Sequence, residues 1–225
     1  MADKKGIPQT LIVPGYKGSG PGHWQSWLEG RLPGSRRLQG VDWHQPVLAH
    51  WAARVRDTLQ HEAQPLWLVA HSFGCLAALT AAADLPGKVA GLILVAPAEP
   101  RRFDFLGLRD EAGPARAPSL EQALPTAPLG VTGLLLASRS DPFLRYERAE
   151  AFAQRWGLPL SDAGDAGHLN EQSGHGPWPD FLALLQDLMR RTPPVETPGP
   201  ALLARGRGSL LASVRQHTRQ QLERR

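Results

Sequence analysis

The sequence predicts an α/β fold: a doubly wound, mostly parallel sheet of about six strands, with helices on both faces and no large cap domain. Three observations lead there. Short apolar runs alternate with segments of helical spacing along most of the chain. The connections between those runs are too long for hairpins, so neighbouring strands must pair in parallel through crossovers. A glycine-rich loop, a serine, an aspartate and a histidine each fall just after a predicted strand. Right-handed crossovers carry the carboxyl ends of the strands to one edge, where these groups meet.

Taken in order, Thr10–Leu11–Ile12–Val13 is a buried strand by its β-branched and apolar content, ended by Pro14–Gly15. The loop that follows, Gly15–Tyr16–Lys17–Gly18–Ser19–Gly20–Pro21–Gly22, is not a phosphate cradle. It lacks a Gly-Lys-Ser/Thr ending and does not open a helix with Gly-x-Gly-x-x-Gly spacing. His23–Leu28 reads as a short helix and Ser35–Leu38 as a weak strand. A clearer helix runs from Val47 to Glu62, with Leu48, Trp51, Val55 and Leu59 on one face, and Pro65 ends it. Leu66–Ala70 is the central strand, followed after Ser72 by a helix from Phe73 to about Ala83. Val89–Val95 is another buried strand. The excursion from Ala98 to Gly130 is far longer than the usual connection of ~4–6 residues. Its Phe103, Phe105 and Leu106 are placed either over a cleft or as anchors of the loop itself. Val131–Ala137 and Leu158–Ser161 complete the strands. The helices Arg145–Trp156 and Pro179–Arg190 each carry an apolar stripe.

The 42% hydrophobic content suffices for one sizeable core, and 225 residues fit one domain with a loose end. We expect that domain over residues 1–191. From Thr192 the prolines at 193, 194, 198 and 200 make a linker to a basic tail, residues 192–225, expected to be mobile. Six arginines against two glutamates put +4 on the tail, which is the whole net charge of +4, so residues 1–191 are formally neutral. The sequence pI of 9.7 therefore gives no reason to expect a nucleic-acid partner for the body. Leu210, Leu211, Val214 and Leu222 make the tail a candidate contact for a partner or a second subunit. One cysteine excludes an intramolecular disulfide and a multi-cysteine zinc site. No secretory signal or ~20-residue apolar span is visible, so the expectation is a cytoplasmic protein without a membrane span.

The chemistry gathers on Leu66–Trp67–Leu68–Val69–Ala70–His71–Ser72–Phe73–Gly74. An apolar strand breaks at a serine between small residues and resumes as an alanine-rich helix, the pattern of a nucleophile elbow. Ala70 stands where the usual Gly-x-Ser-x-Gly has its first glycine. Read without the elbow, Ser72 is an ordinary helix cap. A serine needs a base to take its proton and an acid to orient that base. Asp141, after a late strand, is the first choice of acid; Asp162, Asp165, Asp104 and Asp110 compete, and Asp141–Pro142 also suits a turn-capping aspartate. His168 in Gly164–Asp165–Ala166–Gly167–His168–Leu169–Asn170 is the first choice of base, with His175 of the same loop as runner-up. His23 and His44 are candidates to line the cleft, His50 and His61 fall on a surface helix, and His71 reads as packed or hydrogen-bonded. Backbone N–H groups for a developing oxyanion would come from Phe73 and from Tyr16, with Lys17 second. Cys75 reads as core. No His-Glu-x-x-His motif or cysteine cluster is present, so no metal or other cofactor is expected.

Several blocks together carry a resemblance. They are Val13–Pro14–Gly15, Gly18–Ser19–Gly20–Pro21–Gly22–His23–Trp24–Gln25, Ala70–His71–Ser72–Phe73–Gly74, Ala137–Ser138 with Asp141–Pro142, and Gly167–His168–Leu169–Asn170 with Ser173–Gly174, Gly176 and Trp178–Pro179. In this order, from Thr10 to Arg190, the chain resembles the retinoblastoma-binding protein 9-like (YdeN-like) serine hydrolases, a small branch of the α/β-hydrolase fold. The resemblance implies a compact hydrolase lacking the first two strands of the larger fold, with Ser72, Asp141 and His168 as the triad. It implies hydrolysis of small esters or amide-like substrates. Retinoblastoma binding is not carried over, since no separate binding motif supports it. The tail has no counterpart in the family.

The expected function is a metal-independent serine hydrolase working through an acyl-enzyme on small carboxylic esters. The alternatives are an aminopeptidase or amidase, and a catalytically idle binding protein of the same fold. The tail supplies a test of the domain boundary. Truncation after Arg191 is expected to leave the melting temperature and the turnover of small soluble esters unchanged, while lowering salt-sensitive binding to acidic surfaces. A collapse of either turnover or melting temperature would place the tail inside the working domain.

Overall fold

A computed structural model describes residues 8–109 and 118–193. Its main sheet has six parallel strands: β1 (Thr10–Val13), β2 (Ser35–Arg37), β3 (Leu66–His71), β4 (Val89–Val95), β7 (Gly133–Ala137) and β8 (Leu160–Asp162), in the spatial order β2-β1-β3-β4-β7-β8. The two remaining strands, β5 (Phe103–Asp104) and β6 (Gly107–Leu108), form a small antiparallel hairpin in the excursion. Among the described residues five α-helices accompany the sheet: α1 (Trp24–Glu29), α2 (Leu48–His61), α3 (Phe73–Asp84), α4 (Tyr146–Trp156) and α5 (Pro179–Arg191).

The alternation of side chains along a strand sorts the core into two layers. Leu11 and Val13 of β1, Leu66, Leu68 and Ala70 of β3, and Leu92 and Leu94 of β4 pack with α2, α3 and α4. Ile12, Trp67, Val69, Ile93 and Val95 face the other way, onto α1 and α5. Helix α3 is apolar almost all round because it lies in the larger layer, with nine of its twelve residues buried. The chain leaves β1 towards β2 on one side and returns to β3 on the other, so the strand order reverses between β1 and β3. A crevice opens at the carboxyl ends of strands at such a reversal.

The observed elements match the expected ones with small shifts at the ends. β7 begins at Gly133 rather than Val131, and β8 runs over Leu160–Asp162 rather than Leu158–Ser161. Strand limits are set by the partner's register, Leu135 against Leu160 here, which periodicity does not carry. The excursion is more structured than its composition indicated. Phe103 is buried against Phe73 with ring centroids 4.7 Å apart, whereas Phe105 and Leu106 at the hairpin tip are exposed. Residues 110–117, which include the competing Asp110, lie outside the described residues, as does the tail beyond Pro193 with its candidate partner contact. Among the described residues no helix is long and apolar enough to cross a membrane.

One arginine ties the excursion to the body. Arg148 of α4 grips the Glu99 carboxylate with Nη2 and Nε at 2.9 and 3.1 Å, and reaches Glu121 with Nη1 at 3.0 Å. These side chains are only 17–18% exposed, so the charges are poorly served by water. Arg148→Met keeps the stem and removes the fork. It is expected to cost about 2 kcal/mol, read as a fall of roughly 4–8 °C in melting temperature for a domain of this size. An unchanged melting curve would show that the excursion is held by apolar packing alone.

Candidate active site

Ser72 sits between β3 and α3 with φ 53° and ψ −124°, a conformation L residues seldom adopt. Its N–H donates to the Val95 carbonyl at 3.1 Å, which ties the turn to β4. Two glycines make the turn possible. A Cβ at Gly74 would collide with the carbonyl oxygens of Val13 and Pro14, and one at Gly15 would lie 2.7 Å from the Ser72 Cβ. Side chains at either place would push α3 or the first loop away from the serine. Ala70, the departure from the usual motif, is wholly buried and paired with Val13 and Leu94.

The loop after β8 and the loop after β7 bring the other groups in. His168 Nε2 is 2.9 Å from Ser72 Oγ, and His168 Nδ1 is 3.0 and 2.9 Å from the two Asp141 carboxylate oxygens. A carboxylate can only accept, so the ring proton lies on Nδ1 and Nε2 is free to accept the Ser72 hydroxyl proton. Asp141 also caps its own turn, accepting the Phe143 N–H at 2.8 Å. One carboxylate thus meets the His168 ring and caps the turn at once. Two of its rivals are engaged elsewhere: Asp162 pairs with Arg139, and Asp104 caps the hairpin turn through the Leu106 N–H. His175 turns away, with Nδ1 against the Ser173 carbonyl and its ring against Trp178. Tyr16 and Phe73 flank the serine from the first loop and the start of α3. Lys17 N–H donates to the Trp43 carbonyl at 2.8 Å, so that group is already engaged.

Sequence reasoning missed the residues that hold these loops still. Ser138 Oγ accepts the Ala166 N–H at 2.9 Å and donates to the Gly164 carbonyl at 3.1 Å. Ser140 Oγ accepts the Gly167 N–H at 3.0 Å. The aspartate loop and the histidine loop are thereby stitched together just ahead of Asp141 and His168. Trp24 Nε1 donates to the Leu169 carbonyl at 2.8 Å, fixing the histidine loop from the α1 side. Buried Gln25 donates to the Val13 and Val69 carbonyls at 3.2 and 3.3 Å and accepts from Ser19 at 2.6 Å. The available signal was a polar residue, Gln25 or Ser138, next to apolar runs.

The site opens on a cleft of about 900 Å³. One wall, from the excursion and the aspartate loop, is mostly apolar, with Ala98, Phe103, Leu108, Pro142 and Phe143, and carries Glu99 and Arg102 as its charged members. The other, from the glycine loop and the histidine loop, is polar and includes Lys17, Gly20, Asn170 and Ser173. Cys75 is buried in α3 and burial pushes its thiol pKa well up, so it is core, as expected. His44 is exposed and does not line the cleft, because its loop turns outward around the Asp42 cap. Among the described residues no group of three or more His, Cys, Asp or Glu side chains could hold a metal ion.

Residues 10–187 match the sequence model of the serine hydrolase family. The chain belongs to that family. A YdeN-like hydrolase from Pectobacterium atrosepticum is 35% identical, with a TM-score of 0.72 over 83% of this chain and 92% of that one. The ydeN gene product from B. subtilis is 22% identical, with a TM-score of 0.61 over 82% of this serine hydrolase and the whole of that chain. Est1E from Butyrivibrio proteoclasticus, solved with ferulic acid bound, shares the fold at 17% identity and a TM-score of 0.56, over 81% of this chain and 86% of its own. A search of curated proteins gives no match.

Three imidazoles lie in a row in this hydrolase. His71 is 4.9 Å from both His23 and His168, ring centroid to centroid. His71 Nε2 faces the His168 backbone carbonyl at 3.0 Å, so it carries the proton and donates. Burial first, then His168 and His23, hold the His71 pKa well below 6.5; burial, then Arg37, lower that of His23 to about 4. Both rings stay neutral in the fold but protonate near pH 6.5 once unfolded. The unfolded chain then binds more protons, so stability is complete above pH 6.5 and is lost as pH falls from 6.5 towards 4. Chemical denaturation at pH 7 and pH 5 is expected to show this loss, and His71→Gln should shrink it. An equal loss in the variant would trace the acid sensitivity to other groups.

Proposed function

We propose that Ser72 is the nucleophile, His168 the general base and Asp141 the acid that orients it, in the hydrolysis of small carboxylic esters. The observation that carries this reading is the unbroken chain from the Asp141 carboxylate through His168 to Ser72 Oγ, every link 2.9–3.0 Å. His168 Nε2 takes the hydroxyl proton as Oγ attacks the ester carbonyl, and Asp141 stabilises the imidazolium that forms. The negative charge moves onto the carbonyl oxygen, where the Tyr16 and Phe73 N–H groups receive it. The imidazolium gives its proton to the departing alcohol, leaving an acyl-Ser72. Water deprotonated by the same histidine then cleaves the acyl group as a carboxylic acid and restores Ser72.

The apolar wall beside the serine supports an apolar acyl or alcohol group, and the ferulic acid that Est1E binds makes an aromatic acid ester a worthwhile probe. Substrates are small molecules on this reading rather than nucleic acid, since residues 1–191 carry no net charge. We place the enzyme in the cytoplasm on its single cysteine, which suits a reducing compartment.

Fluorophosphonate labelling and p-nitrophenyl ester hydrolysis test the assignment. Ser72→Ala is expected to abolish labelling with the melting temperature retained, and labelling that persisted would overturn it. Loss of the base disables the three groups as a unit, so His168→Ala should lower kcat by about 10³-fold or more, and His175→Ala by less than about tenfold. The reverse ranking would assign the base to His175.

A further inference from the structure

One polar side chain in the cleft has no part in the Asp141–His168–Ser72 chain. His23 precedes α1, and its Nδ1 accepts the Gln25 N–H at 3.1 Å as the cap of that helix. A nitrogen that accepts carries no proton, so the proton of the neutral ring lies on Nε2. The ring is 5% exposed, packs edge-on against His71 at 4.9 Å and tilts over Trp24 at 5.5 Å. Its remaining exposure is to the cleft, which it lines. Nε2 has no hydrogen-bond partner among the described residues. Nor is it sealed in: the fully buried side-chain atoms without a partner there are Thr10 Oγ1 and Arg37 Nε. The N–H therefore opens on the cleft with nothing from the protein to receive it.

A nearly buried donor is costly to leave unmatched, and a site that holds one discriminates strongly for ligands that supply the acceptor. We propose that His23 Nε2–H binds an ether, hydroxyl or carbonyl oxygen in the substrate, so that the enzyme favours esters carrying such an oxygen close to the scissile bond over all-carbon esters of the same length. The proposal rests on the ester-hydrolase reading above and adds the substrate class to it. The setting agrees. His23 belongs to the side of the cleft built from the glycine and histidine loops, whose lining is polar, while the apolar wall lies opposite. The neighbours that face the ring are Arg37 from β2, His71 from β3, and His168 and His175 from the histidine loop. Burial and these groups keep the ring neutral through the working pH range, so the donor is constant and adds no titration of its own.

Two variants remove the donor with opposite structural defects. His23→Asp keeps a side-chain cap for α1 with a carboxylate that can only accept and loses the ring, whereas His23→Phe keeps the ring packing and loses the cap. Each would be measured as kcat/KM on two matched pairs, in which one oxygen replaces one methylene. The first pair is p-nitrophenyl methoxyacetate and p-nitrophenyl butyrate; the second is 2-methoxyethyl butyrate and n-butyl butyrate. Comparing variant with wild type inside each pair cancels the intrinsic reactivity of the ester. In at least one pair both variants are expected to lose about three- to tenfold more activity on the oxygen-bearing ester than on its partner. Fluorophosphonate labelling should persist in both variants. Equal losses within both pairs, or a selective loss in only one variant, would reduce His23 to a helix cap and overturn the proposal. Loss of labelling in both variants would overturn it too, by tying His23 to the nucleophile rather than to the substrate. Persistent labelling of Ser72→Ala, in contrast, would sink the underlying reading and not this addition to it.

Discussion

The rest of the site depends on the backbone of Ser72, held at φ 53° where a residue with a side chain is strained by on the order of 1–3 kcal/mol. Such a conformation persists only if its surroundings leave no alternative. Here β3 is paired on both sides, to β1 and β4, through to Ala70 and beyond, and the Ser72 N–H is captured by Val95. Helix α3 follows at once, and its Gly74 lets it close onto the carbonyls of Val13 and Pro14. Gly15 does the same for the first loop, against the serine itself. The strand reversal between β1 and β3 is what makes room in front of the hydroxyl.

With the serine fixed, the histidine and the aspartate must be delivered on loops, which are the least constrained parts of an α/β domain. Ser138 and Ser140 solve this by satisfying backbone groups of the neighbouring loop, and Trp24 holds the same loop from behind. The three adjacent imidazoles show how local partners divide one residue type into different tasks. His168 has a carboxylate on Nδ1 and a hydroxyl on Nε2. His71 has a backbone carbonyl and is buried as a neutral ring; His23 has a backbone N–H and keeps its proton on the cleft side. Desolvation dominates the last two and carries their pKa values down.

The excursion gives the cleft its apolar wall without forming a separate cap domain among the described residues. Phe103 inserts against Phe73, directly beside the serine, and the Arg148 fork holds both flanks of the segment through Glu99 and Glu121. Phe143 links that wall to the chemistry, since its ring meets the His168 ring edge-on at 4.6 Å and carries the Arg102 guanidinium at 5.0 Å. Positions around this edge thus differ in kind: Ser72 sits at a strand end, Asp141 and His168 sit on loops tied to each other, and the longer excursion shapes the cleft.

Much of this was legible from residue order. Runs such as Thr10–Val13 and Val89–Val95 are strands to the residue, because a strand buried on both faces is a continuous apolar run whatever its neighbours are. The break at Ser72 was legible because an elbow needs small residues at fixed offsets, and a strand-order argument sufficed to nominate Asp141 and His168. What the sequence could not decide lies in contacts between distant segments. The limits of β7 and β8 come from their mutual register. The Lys17 N–H is engaged by the Trp43 carbonyl, 26 residues on, and the fate of His23 comes from which of its two nitrogens meets Gln25. Periodicity reports which face of an element is buried; only the packed structure determines which polar atom is left without a partner, and at this site those atoms are the ones offered to the substrate.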